Sequence, residues 1–125
     1  MSDKQICNNI LAAMLWHDVK PSQVVKKLHI WKCNGHACFG GWVGKWPEFK
    51  EQGVLVDELD GSPYMMNEFR RNVAAMEVSF ILFGNHHLFD QRGDCPFDVG
   101  YHRLSDHKLV AKRLEANFVE LTSAD

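Results

Sequence analysis

The chain has no apolar run approaching the roughly 18 residues that a membrane-spanning helix requires. It carries little net charge, −2 at neutral pH. That argues against a generic nucleic-acid binder, which is normally clearly basic, and against a strongly acidic nucleic-acid mimic. Cysteine is scarce: Cys7, Cys33, Cys38 and Cys95 are too few and too scattered for the disulfide framework of a secreted domain. The opening Met1-Ser2-Asp3-Lys4-Gln5 lacks the charged-then-apolar pattern of a signal peptide. Together these absences predict a cytoplasmic protein with free thiols and no membrane partner. Walker loops, dinucleotide fingerprints, nucleophile elbows and HExxH motifs are missing too, so no known catalytic motif points to an enzyme.

What is present is an ordinary globular composition, 46% apolar and 24% charged over 125 residues. That length and balance predict one domain spanning 1–125 with a real core. Charge is unevenly spread. Lys20, Lys26, Lys27, His29 and Lys32 form a basic segment, whereas Glu48, Glu51, Asp57, Glu58 and Asp60 form an acidic one. Two solvated faces account for this, and a dipolar surface that orients a partner is the sharper reading. The basic segment also supports a weaker alternative, a nucleic-acid-binding helper.

Apolar spacing predicts an all-α fold, a compact bundle of about five helices. The first covers 3–16, with Ile6, Ile10 and Met14 on its buried stripe and Asn8 and Asn9 outside it. A second starts at Pro21, with Val24, Val25, Leu28 and Trp31 on its apolar face. A third starts in the glycine-rich stretch with Asn34 as its cap. Residues 45–62 read as loop or short helix, because a strand at Val54–Val56 has no evident partner. Ser62 and Pro63 cap and open a long central helix over 63–83, striped by Met65, Phe69, Val73, Met76, Phe80 and Phe83 and stopped by Gly84. A loop over 91–103 follows, then a last helix capped by Ser105, with Val110, Leu114, Phe118 and Leu121 buried.

The segment Cys33-Asn34-Gly35-His36-Ala37-Cys38-Phe39-Gly40-Gly41-Trp42 carries the densest chemistry. Gly40, Gly41 and Trp42 read as a structural motif, since each glycine costs about 1 kcal/mol inside a helix unless another element approaches closely. Cys33, His36 and Cys38 are candidate ligands for zinc or iron, with Cys7, Cys95 or a histidine as a fourth, although their spacing is not the usual two-residue knuckle. Cys38 is also a candidate nucleophile near a helix start, with His36 as base and His17 or Asp18 to orient it. A Cys33–Cys38 disulfide is conceivable but closes a very small ring. A small buried cysteine packed among glycines is the commoner outcome. Four tryptophans crowd into 16–46, and Trp31 and Trp46 are candidate partner-binding anchors, with Trp46 expected at the surface beside Pro47. Arg70 and Arg71 are candidates for the same role.

The run from Cys33 through Cys38-Phe39-Gly40-Gly41-Trp42 resembles a motif of small, mostly uncharacterised bacteriophage and bacterial proteins, Cys-Gly-Thr-x-x-Cys-Ile-Ala-Gly-Trp. The pair Trp16-His17 upstream, and Ile81-Leu82-Phe83-Gly84 and Leu88-Phe89 downstream, are similar to that pattern as well. Asn34-Gly35 stands where those proteins have Gly-Thr. The resemblance lends no activity. It implies a phage-associated, mainly helical protein of the host cytoplasm. With the absence of catalytic motifs and the tryptophan-rich half, it leads to the expectation of a non-enzymatic accessory protein that binds and modulates a host or viral protein. The alternative is a metal- or thiol-dependent protein built on Cys33, His36 and Cys38.

Overall fold

The computed structural model describes residues 3–20, 22, 32–33, 36–66, 69 and 71–123, with only the backbone at 32, 33, 36 and 37. Two long helices, α1 (Asp3–Asp18) and α5 (Asp106–Ser123), run antiparallel. Trp16 Nε1 donates to the His107 carbonyl at 2.9 Å, and further along Asn9 Nδ2 donates to the Leu114 carbonyl at 3.0 Å. Between them come β1 (Lys32–Cys33), β2 (His36–Ala37), α2 (Phe39–Lys45), α3 (Pro47–Lys50), β3 (Leu55–Val56), β4 (Pro63–Met66), β5 (Asn72–Val73) and α4 (Ala75–Phe83). The molecule is mainly α-helical, with a small antiparallel sheet in the order β3-β4-β5 and a separate β1–β2 pair. The expected second helix from Pro21 lies outside the described residues.

The long helix expected over 63–83 is replaced by β4, β5 and the shorter α4. Its supposed cap builds a hairpin instead. Asp57 Oδ1 accepts the Leu59 N–H at 2.8 Å, the Asp57 N–H donates to the Ser62 carbonyl at 2.9 Å, and Gly61 turns the chain. Pro63 then takes the first strand position, where its missing N–H is tolerated. Only half of the expected stripe turns inward: Phe83 is buried and Met65 and Val73 pack against the core, whereas Phe69, Met76 and Phe80 are exposed and Val78, Ser79 and Leu82 are buried instead. The strand at Leu55–Val56, thought to lack a partner, pairs with β4 in the register Leu55↔Tyr64 and Val56↔Pro63.

Helix α1 also turns a different face inward. Asn8 and Asn9 are buried with Ala12 and Trp16, whereas Ile10 and Met14 are exposed. The reason lies at the end of α4, whose last four carbonyls have no partner within the helix. Gln5 Nε2 donates to the Phe80 carbonyl at 3.1 Å, Asn8 Nδ2 to that of Leu82 at 3.0 Å, and Asn117 Nδ2 to that of Phe83 at 2.9 Å. Gly84, in the left-handed conformation at φ +72°, closes the helix with its own N–H on Phe80. Side-chain amides thus satisfy a buried helix terminus that apolar residues would leave orphaned. The last helix keeps its expected cap, with the Lys108 N–H 3.4 Å from Ser105 Oγ. Val110, Leu114 and Leu121 are buried as expected, but Phe118 is exposed.

Candidate functional site

The glycine-rich motif splits at Cys38. Before it, β1 and β2 pair with Cys33 opposite His36; after it, α2 begins at Phe39 with Cys38, rather than Asn34, in the capping position. Phe39 is the hub of the core. Its ring lies 5.5 Å from Trp16, 6.3 Å from Trp46, 5.9 Å from Phe83 and 5.6 Å from Phe89, with the edge-on geometry that aromatic quadrupoles favour at three of the four. Gly40, Gly41 and Gly44 are buried along α2. At Gly44 the sheet comes so close that an added Cβ would stand 2.7 Å from Val56 Cγ2. Trp42 is half-buried against the core, with Lys45 Nζ 4.9 Å from the centre of its ring.

Pro47 explains the end of α2. The residue before a proline is driven out of the α region, and Trp46 adopts φ −69°, ψ 127°, ending α2 and capping α3 at once. This turn carries the Trp46 ring inward, to 6.2 Å from Trp42 and 6.0 Å from Phe49. Trp46 is 8% exposed, which corrects the expectation of a surface anchor.

Chemistry at Cys38 is disfavoured by its surroundings. The residue is buried, and desolvation pushes its thiol above the ordinary range despite backbone N–H groups of Gly41 and Gly40 that favour the thiolate. A nucleophilic cysteine needs the opposite shift. His17 and Asp18, proposed to orient it, are 3.6 Å apart on the exposed end of α1. Among the described residues no group of three metal-binding side chains assembles. The side chains of Cys33 and His36, and all of Trp31 and Arg70, lie outside the described residues.

The surface feature that the sequence reading missed is the outer face of the sheet. Val56 and Pro63 point inward to Gly44, so the strand period places Leu55, Tyr64 and Met66 on the opposite face. Leu55 is 43% and Met66 47% exposed, and no described element covers them. The two loops at the ends of this strip add Leu59, 94% exposed, and Phe69, 73% exposed. Arg71, exposed, leads into β5, while the opposite hairpin tip carries Glu58 and Asp60. The run Pro63-Tyr64-Met65-Met66 carries no apolar–polar alternation, and the four-residue spacing of apolar residues through Val73 reads as helix. A second apolar surface lies between α1 and α5, where Ile10, Ala13 and Met14 face Ala111, Glu115 and Phe118 across an open groove of about 400 Å³.

No protein-family model, curated protein or solved structure matches the chain. No described helix is long and apolar enough to cross a membrane.

Proposed function

We propose that this chain is a small, non-enzymatic accessory protein that binds and modulates a host or viral protein through the outer face of its sheet. The carrying observation is the strip Leu55–Tyr64–Met66, in which Leu55 and Met66 are exposed on either side of a half-buried Tyr64, flanked by Leu59, Phe69 and Arg71. Aromatic residues, methionine and arginine are the side chains enriched at protein interfaces. The acidic character of the hairpin tip, Glu58 and Asp60, favours a partner whose apolar surface has a basic rim. If the chain is phage-encoded, as its motif resemblance suggests, this partner is met in the host cytoplasm.

The test is affinity capture from the native host with the wild type and with Leu55→Glu/Met66→Glu, whose folding is checked by circular dichroism. A photo-cross-linker at position 66 should join the captured partner, and the double variant should lose it. Equal capture by a folded double variant, with no cross-link at 66, would overturn the assignment.

The register of β1 and β2 supports one other reading. Cys33 and His36 are opposed across the pair, and His36 stands two positions before Cys38. A zinc or iron ion held there would make the motif a metal centre. Elemental analysis of the purified protein decides it, since one equivalent of metal supports this reading and none removes it.

A further inference from the structure

We infer that the groove between α1 and α5 is the seam of a symmetric homodimer, in which a second copy of the chain completes a four-helix bundle. The outward faces of both helices carry the spacing of such a seam. On α1 the exposed positions Cys7, Ile10, Met14 and His17 follow one another by three, four and three residues. On α5, Lys108, Ala111, Glu115, Phe118 and Thr122 are exposed at alternating three and four. That period keeps side chains on one stripe and is the one by which bundle helices interlock. Ile10 is 44%, Met14 64% and Phe118 38% exposed, while Ala13 and Ala111 between them leave room for a partner helix to approach.

Charge selects a second copy as the occupant. The exposed edge of α5 is basic at Lys108 and Lys112 and acidic one turn further on at Glu115. In one copy Lys112 and Glu115 are already 3.5 Å apart, both substantially exposed. A twofold axis crossing α5 between them sets Lys112 of each copy against Glu115 of the other, and an isologous interface repeats that contact twice. A parallel arrangement would instead oppose like charges. With a net charge of only −2, two copies repel each other weakly. The surface is separate from the outer sheet face, so this inference stands or falls independently of the proposed function.

Sedimentation equilibrium of the full chain at high micromolar concentration should show a dimer. Met14→Asp should leave a folded monomer. Lys112→Glu opposes acidic groups at both symmetry-related contacts and should weaken the dimer roughly tenfold, and the exchange Lys112→Glu/Glu115→Lys should restore it to within about threefold. A wild type that stays monomeric would overturn the inference. So would a dimer indifferent to Met14→Asp, or one that the charge exchange fails to restore.

Discussion

Arg113 and Asp98 form a buried two-point ion pair. Nε donates to Asp98 Oδ1 at 2.7 Å and Nη2 to Oδ2 at 2.6 Å, with both residues less than 10% exposed. The remaining guanidinium hydrogens go to the carbonyls of Leu88, Asp90 and Gln91, at 3.4, 2.8 and 3.1 Å. One side chain on α5 thereby organises the irregular chain between α4 and α5, which has little regular structure of its own.

Removing one partner strands the other as an uncompensated buried charge. Asp98→Ala should therefore cost about 3–5 kcal/mol in urea unfolding, and Asp98→Leu/Arg113→Met should recover most of that loss. The pair also sets an acid dependence. Burial by itself raises the Asp98 pKa, but hydrogen bonds from Arg113 and the Gly93 N–H, with the guanidinium charge, outweigh it and hold the carboxyl below its ordinary range. A depressed folded pKa contributes stability that is present above the unfolded value of about 3.9 and lost as pH falls through the folded one. The urea midpoint should fall below about pH 4, and less steeply in the Asp98→Leu/Arg113→Met variant.

The inverted face of α1 predicts an unusual contrast. Asn9 accepts from Asn117 Nδ2 at 2.7 Å while donating to Leu114. Asn9→Leu, though more apolar and similar in size, should destabilise by about 1–3 kcal/mol because buried polar partners are left unmatched. Met14→Gln, further along the same helix and exposed, should change the stability of the isolated protomer by less than about 0.5 kcal/mol. Chemical denaturation of the two variants at low protein concentration makes the comparison.

Gly44 is required by contact, not by backbone conformation. Gly44→Ala gains about 1 kcal/mol in helix propensity, but its Cβ would press on Val56 Cγ2, a β-branched side chain with little freedom to yield. A net loss of about 1–2 kcal/mol is expected. Val56→Ala, introduced beside it, should remove the clash, so a double-mutant cycle should show coupling between the two sites.

Thiol labelling reads the burial of the cysteines. Cys7 is exposed, whereas Cys38 and Cys95 are buried and their thiols are raised by desolvation. At a protein concentration low enough to keep the chain monomeric, Ellman's reagent should modify Cys7 rapidly and reach Cys38 and Cys95 only as fast as the chain unfolds. Raised folded values mean that these thiols favour the fold below their unfolded pKa of about 8.5, an advantage that is lost as pH rises through the higher folded values. Stability should accordingly decline on the alkaline side, and Cys38→Ala should soften that decline.

The elements with local signals were legible in the chain. The first helix, the final helix with its Ser105 cap, the stop at Gly84 and the loop over 91–103 can each be read from a few neighbouring residues. The close contact of α2 with the sheet is made at Gly44, against Val56, outside the Gly40-Gly41-Trp42 motif. The candidate chemistry was less legible. Trp46 looked exposed beside Pro47, yet the extended conformation that Pro47 imposes swings the ring into the core. The outer sheet face stayed hidden because Met65, Phe69 and Val73 fit helical spacing, and only pairing with Leu55–Val56 shows that this stretch is sheet.

What the sequence by itself determined is the material: a mainly helical domain with an aromatic, glycine-bearing centre. It contained no described span able to cross a membrane and no recognised catalytic motif. Which faces lie inside was decided only by the tertiary structure. Periodicity ranks side chains by their own affinity for water, but Asn8, Asn9 and Asn117 are buried because carbonyls at distant positions in the chain need donors. Their burial turns Ile10 and Met14 outward. Hydrogen-bond demand between elements far apart in sequence, rather than hydrophobicity along any one of them, sets the surface that this protein presents.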